Sequence, residues 1–285
     1  MPEGQIRERV LGQVVEQMAE RDPAGALRFI GQMPAGNSRE EALGSVVQQL
    51  AETDPKSAAG YLGSFAQGPA RTQAAFGIAR TWARVDAPAA LAWAQTLTSA
   101  EERSAAFSEV FGEMSRGNPQ QAATLALTQL TGDAQLTATG TIARRWVRMD
   151  PTSATTWAAS LPAGDVRDGA YRNLLGSWAE KDLVTAGTFL NNLGAGSTRD
   201  AAVLGYAEKA AAADPEGAAV WAASIGEPAK REAAIGQVLY RWKMQSPAEA
   251  EAWLAQTQAL SAEAKAKILE RGNRVSTQVF RTFSE

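Results

Sequence analysis

Histidine and cysteine are both missing from this chain of 285 residues. Without cysteine there are no disulfides and no thiol chemistry, and the redox compartment is left open. Without either residue the usual zinc, copper and haem ligand sets cannot be assembled. The Ser-His and Cys-His nucleophile pairs are excluded as well. Only a carboxylate pair or a Lys or Tyr device is left for catalysis, and no constellation of either kind is visible. No enzyme and no cofactor are therefore expected. No apolar run approaches the ~20 residues that cross a bilayer, so no membrane insertion is expected. The N-terminal MPEGQIRERV has no signal-peptide pattern. The net charge of −3 offers no general attraction to nucleic acid or to an anionic surface. Apolar residues make up 45% of the chain, enough for a continuous core.

What the chain does have is a period. One short signal recurs every 32 residues, at Asp22-Pro23, Asp54-Pro55, Asp86 (then Ala87-Pro88), Asn118-Pro119, Asp150-Pro151, Asp182-Leu183, Asp214-Pro215 and Ser246-Pro247. A fixed period of this length predicts stacked supersecondary repeats. Asp, Asn or Ser before Pro marks a helix start, because its side chain caps free N–H groups and Pro fits the first helical position. Three residues after Pro23 comes Ala26, and that register is Ala in every repeat. Three further on stand Phe29, Tyr61, Trp93, Leu125, Trp157, Phe189, Trp221 and Trp253. This stripe predicts a first helix, A, of about eleven residues, ending at a turn such as Pro34-Ala35-Gly36-Asn37. A second helix, B, carries its apolar face at spacings such as Ala42, Val46 and Leu50. All eight Trp fall in two registers, one per helix, and are read as packing between repeats.

The predicted fold is all-α: a right-handed type of α-solenoid with about eight 32-residue helix-turn-helix repeats and scope for strong curvature. Residues 1–21 form an N-terminal half repeat with helix B only, 22–273 the tandem hairpins in one array, and 274–285 a C-terminal tail. Glu263, Glu270 and Arg274 give the last helix a polar outer face, as a terminal cap needs. The first helix lacks such substitutions, which leaves room for further repeats upstream.

Three sets of polar residues follow the period. Arg7, Arg39, Arg71, Arg103, Arg167, Arg199 and Arg231 share one register at the start of helix B. Repeats with a capping Asp also have this Arg, whereas Asn118 goes with Gln135 and Ser246 with Glu263. The simplest reading is a structural ion pair within each hairpin: Asp22 with Arg39, Asp54 with Arg71, Asp86 with Arg103, Asp150 with Arg167, Asp182 with Arg199 and Asp214 with Arg231. A second set, Arg80, Arg84, Arg116, Arg144, Arg145 and Arg148, lies in the C-terminal parts of successive B helices. It answers either the helix dipole or an anionic partner. The third set, near the end of helix A, is Gln32, Ser64, Thr96, Thr128, Ser160, Asn192, Ser224 and Gln256. Helix A is the shorter, so it is placed on the concave side and this ladder becomes a candidate binding surface. Local bonding to the preceding turn is the alternative.

Alternating helix pairs with Ala at fixed registers and Pro at the repeat boundary resemble the tetratricopeptide and HEAT-like α-solenoids. The resemblance covers the architecture of nearly the whole chain. It does not extend to the Leu-Gly…Tyr signature of the first tetratricopeptide helix, which this chain lacks. The leading functional expectation is a non-enzymatic scaffold for a protein or peptide partner, with nucleic acid not expected. The alternatives are an anion or nucleic-acid binder using the mid-array Arg cluster, and an idealised repeat with no evolved ligand.

Overall fold

The computed structural model describes residues 3–269, with side chains from Leu11 onward. Arg7, Glu270, Arg274 and the tail lie outside the described side chains. Among the described residues every regular element is helical and short helices alternate with long ones. In order these are α1 (Glu3–Arg21), α2 (Pro23–Gly31), α3 (Asn37–Thr53), α4 (Pro55–Gly60, then a 3-10 turn at Leu62–Ser64), α5 (Pro69–Thr96), α6 (Ala100–Gly117), α7 (Pro119–Gln129) and α8 (Gly132–Met149). They continue as α9 (Pro151–Ser160), α10 (Asp165–Lys181), α11 (Leu183–Asn191), α12 (Ser197–Ala210), α13 (Pro215–Ala223), α14 (Pro228–Gln245) and α15 (Pro247–Gln256), and residues 262–269 are again helical. The helices form an array in which sequence neighbours pack on one another. They group into two compact units, 1–138 and 139–285.

The recurring signal produces one repeated local structure. From Asp22 to Ser246 the boundary residues share a backbone with φ between −140° and −150° and ψ between 78° and 93°. The side-chain oxygen accepts the N–H three residues on: Asp22 from Gly25 at 2.8 Å, Asn118 from Gln121 at 2.9 Å, Asp214 from Gly217 at 2.9 Å. Ser246 makes no such bond. At Asp86 the Pro comes one residue late, and α5 runs on through the junction with Asp86 as its only non-helical residue. The turn into the following long helix is made in two ways. Gly68 and Gly164 take φ of 138° and 129°, conformations that L side chains disfavour. Ser99 and Glu227 instead precede their helices in extended geometry, with φ of −70° and −75°.

The Ala register is the innermost layer: Ala26, Ala58, Ala90, Ala122, Ala154, Ala186, Ala218 and Ala250 are all 0% exposed. The aromatic registers meet across five of the junctions. Trp82 lies 5.8 Å from Trp93, Trp146 stacks at 5.5 Å on Trp157, and Trp178 lies 5.4 Å from Phe189. Long helices also pack directly on long helices, α1 on α3 on α5 in the first unit and α10 on α12 on α14 in the second.

Three caps carry a pH prediction. The hydroxyl and amide of Ser57, Ser153 and Thr185 hold the Asp54, Asp150 and Asp182 carboxyls below their ordinary value of 3.8. A lowered native pKa adds stability that is complete above the unfolded value and lost as pH falls through the native one. Replacing all three by Asn, which caps at position 118 without a charge, is expected to flatten the decline in melting temperature below pH 3.8. Equal acid sensitivity of the triple variant and the parent would refute this.

Candidate functional site

The three polar sets resolve differently once placed on the helices. Among the described residues no ion pair joins a capping Asp to the Arg seventeen residues later, so the expected Asp–Arg pairs are replaced by other contacts. The reason is geometric. Antiparallel packing sets the start of each long helix beside the end of the short one before it. The capping Asp sits at the opposite end, about 15 Å away along a short helix at 1.5 Å per residue. The carboxylates of Asp22, Asp54, Asp86, Asp150, Asp182 and Asp214 cap their own helices. The ladder Arg residues fasten turns instead. Arg103 donates to Leu97 O at 2.6 Å, and Arg231 donates to Ile225 O at 2.8 Å and to Ala259 O of the next hairpin at 3.0 Å. Arg199 reaches Ser224 O at 3.1 Å, Arg167 reaches Thr198 Oγ1 at 3.2 Å, and Arg71 pairs with Glu102 at 2.9 Å. Arg39 keeps a buried Nε without a hydrogen-bond partner. Gln135, the exception in the sequence pattern, bonds Leu130 O at 2.8 Å and so does the work of Arg.

The acid after the ladder Arg had no assigned role in the sequence pattern, although Arg39-Glu40, Arg167-Asp168, Arg199-Asp200 and Arg231-Glu232 repeat it. Asp200 is 7% exposed and accepts the N–H groups of Gly226 and Glu227 at 2.9 and 3.1 Å. Glu40 accepts from Ala66 at 3.3 Å, and Asp168 accepts from the Thr198 hydroxyl at 2.6 Å. Glu40, Asp168 and Asp200 thus hold the turn or helix start of the next hairpin.

The ladder Gln32, Ser64, Thr96, Thr128, Ser160, Asn192, Ser224 and Gln256 is exposed throughout. Much of it bonds back onto its own helix: Thr96 to Trp93 O, Thr128 to Thr124 O, Ser160 to Trp157 O, Asn192 to Thr188 O and Ser224 to Trp221 O, at 2.6–3.0 Å. In each unit the long helices pack on one another while the short ones touch each other at most marginally. The ladder lies at the ends of the short helices.

The second Arg set divides between the units. In the first, Arg84 approaches Glu113 at 4.0 Å and Arg116 pairs with the same carboxylate, while Arg80 is exposed without an ion pair. In the second, Arg148 and Lys209 share Glu180 at 3.2 and 2.6 Å. The hydrogen bond from Lys209, then the charges of Arg148 and Arg144, hold the Glu180 carboxyl below its usual range. Arg144 also donates to Thr141 at 3.4 Å, and Arg145 Nε is buried without a hydrogen-bond partner.

Open space lies along the long helices. In the second unit a groove of about 770 Å³ runs between α12 and α14, lined by Leu204, Ala207, Gln237, Tyr240 and Arg241 among others. In the first unit two adjoining hollows of about 500 and 350 Å³ share Gln48 and Gln73 and lie between α3 and the first half of α5. Among the described residues no acidic cluster is arranged to hold a metal ion, and no helix is long and apolar enough to cross a membrane.

No family model matches this chain, and no curated protein or solved structure is significantly similar to it. The grooves therefore stand as the candidate site on their geometry alone. Sequence patterning missed them because a groove between two helices belongs to neither helix. The available signal was the uncharged amides Gln48, Gln73 and Gln237 on the long helices.

Proposed function

We propose that this chain is a non-catalytic binding scaffold for a protein or peptide. In this reading it is a right-handed α-solenoid of about eight 32-residue repeats, similar in architecture to the tetratricopeptide and HEAT-like class. The observation that supports it best is the open groove between long helices in each compact unit. Both grooves are lined by amides, Gln48 and Gln73 in one and Gln237 in the other, that make no hydrogen bond among the described residues. A concave surface with a few unpaired polar groups is where ligands bind most often.

Site-specific photo-cross-linking tests this reading. A photoreactive residue at Gln73 or Gln237 is expected to capture a defined partner, and one at Ser64 or Ser160 on the short helices is not. Capture from the short-helix positions alone, or from none, would reject the grooves. Binding that weakens steeply with salt would instead favour an anionic polymer.

A further inference from the structure

The groove between α3 and the first half of α5 has a chemical polarity along its length. The two helices run in parallel, so both N-terminal turns border one hollow and both C-terminal parts border the other. At the N-terminal end the charged lining residues are Glu40 and Glu41, and no cation belongs to that lining. Glu40 spends one oxygen on Ala66 N, while its other oxygen is buried and unpartnered. At the C-terminal end stand Arg80, which has no ion pair among the described residues, and Arg84, 4.0 Å from Glu113, with Glu52 as the one acid in the lining. Between them both hollows are lined by Gln48 and Gln73, whose amides bond nothing among the described residues. A primary amide offers a donor and an acceptor side by side, the same pair that a peptide unit presents.

We propose that this groove binds an extended peptide segment with a basic residue at one end and an acidic residue at the other. The base lies against Glu40 and Glu41, the acid against Arg80 and Arg84, and the intervening backbone meets Gln48 and Gln73. Helical rise over the stretch of α3 from Glu41 to Glu52 gives a length of about 16 Å. An extended chain at about 3.3 Å per residue fills it with about five residues. The proposal rests on the scaffold reading and names the partner class for one of its grooves. Gln48 is held over the groove floor by a close fit: a Cβ at Gly77 would stand 2.2 Å from Gln48 Oε1. Gly77→Ala therefore displaces the amide, a movable side-chain end, without touching backbone.

The test pans a displayed library of random peptides against the full chain. Enriched sequences are expected to carry Lys or Arg and Asp or Glu about four residues apart. Arg80→Glu with Arg84→Glu should abolish the acid preference, and Glu41→Lys the base preference, each weakening the best synthetic peptide by about tenfold or more. Gly77→Ala should weaken it several-fold. All three variants alter exposed groups or a flexible contact, and unchanged thermal melts would verify their folding. If peptides are enriched but ignore both charge swaps, the assignment to this groove fails and the scaffold reading stands. If no peptide is enriched, both fall. A single-stranded oligonucleotide captured through Arg80 and Arg84 in place of peptide would also overturn the proposal.

Discussion

Gly205→Ala is expected to lower the melting temperature by roughly 6–12 °C, corresponding to about 3 kcal/mol for a chain of this size. Gly205 lies where α12 crosses α10. A Cβ there would stand 2.0 Å from Arg172 O and 2.8 Å from Arg172 C, both backbone atoms. No side chain can swing away, so the two helices must separate and the apolar surface between them must loosen. Gly236→Ala is the internal control. Among the described residues a Cβ at 236 would meet only Ile268 Cγ1 at 3.8 Å, an ordinary contact. That exchange should leave stability unchanged or raise it by about 0.5–1 kcal/mol through helix propensity. Thermal melts of the two variants side by side decide the matter. An equal effect would mean that close approach of the long helices is unimportant.

Asp200→Ala should be the next most damaging change, at about 2–3 kcal/mol, because two backbone N–H groups lose charge-assisted acceptors. Those N–H groups belong to Gly226 and Glu227, in the turn that starts α14, so the loss uncouples one hairpin from the next. Asp200→Asn keeps an acceptor oxygen and should recover part of the loss. Amide exchange offers the specific readout: protection should fall at Gly226 and Glu227 well before it falls in α10. Uniform loss of protection would show that Asp200 acts on the whole domain rather than on that turn.

The contrast between these residues and the caps explains what could be read directly from the sequence. The Asp–Pro signals were legible because a cap is made with a backbone N–H three residues away, a contact fixed within one turn. The Ala and Trp registers were legible for the same reason, since helical period alone selects a face. The partners of Arg71, Arg167 and Arg199 lie 31, 31 and 25 residues away and depend on how one hairpin stacks on the next. Counting which repeats contain both Asp and Arg linked residues at opposite ends of a hairpin, because co-occurrence carries no distance. The close approach of two long helices at Gly176 and Gly205 was equally hidden, because it depends on helices that meet only in the folded chain. The groove bordered by Gln48, Gln73 and Arg80 needed both α3 and α5 in place before it existed.

The aromatic pairs have an optical consequence. Each couples the end of one long helix to the short helix that follows, with ring centres 5.4–6.4 Å apart. Indoles at that separation share excitation, so a pair such as Trp146 and Trp157 should give a circular dichroism couplet that vanishes when its own junction opens. Exchanging one ring of a pair for Phe silences that junction and leaves the others reporting. The chain thus carries built-in spectroscopic markers along its length, and the order in which its junctions melt can be recorded without attaching any label.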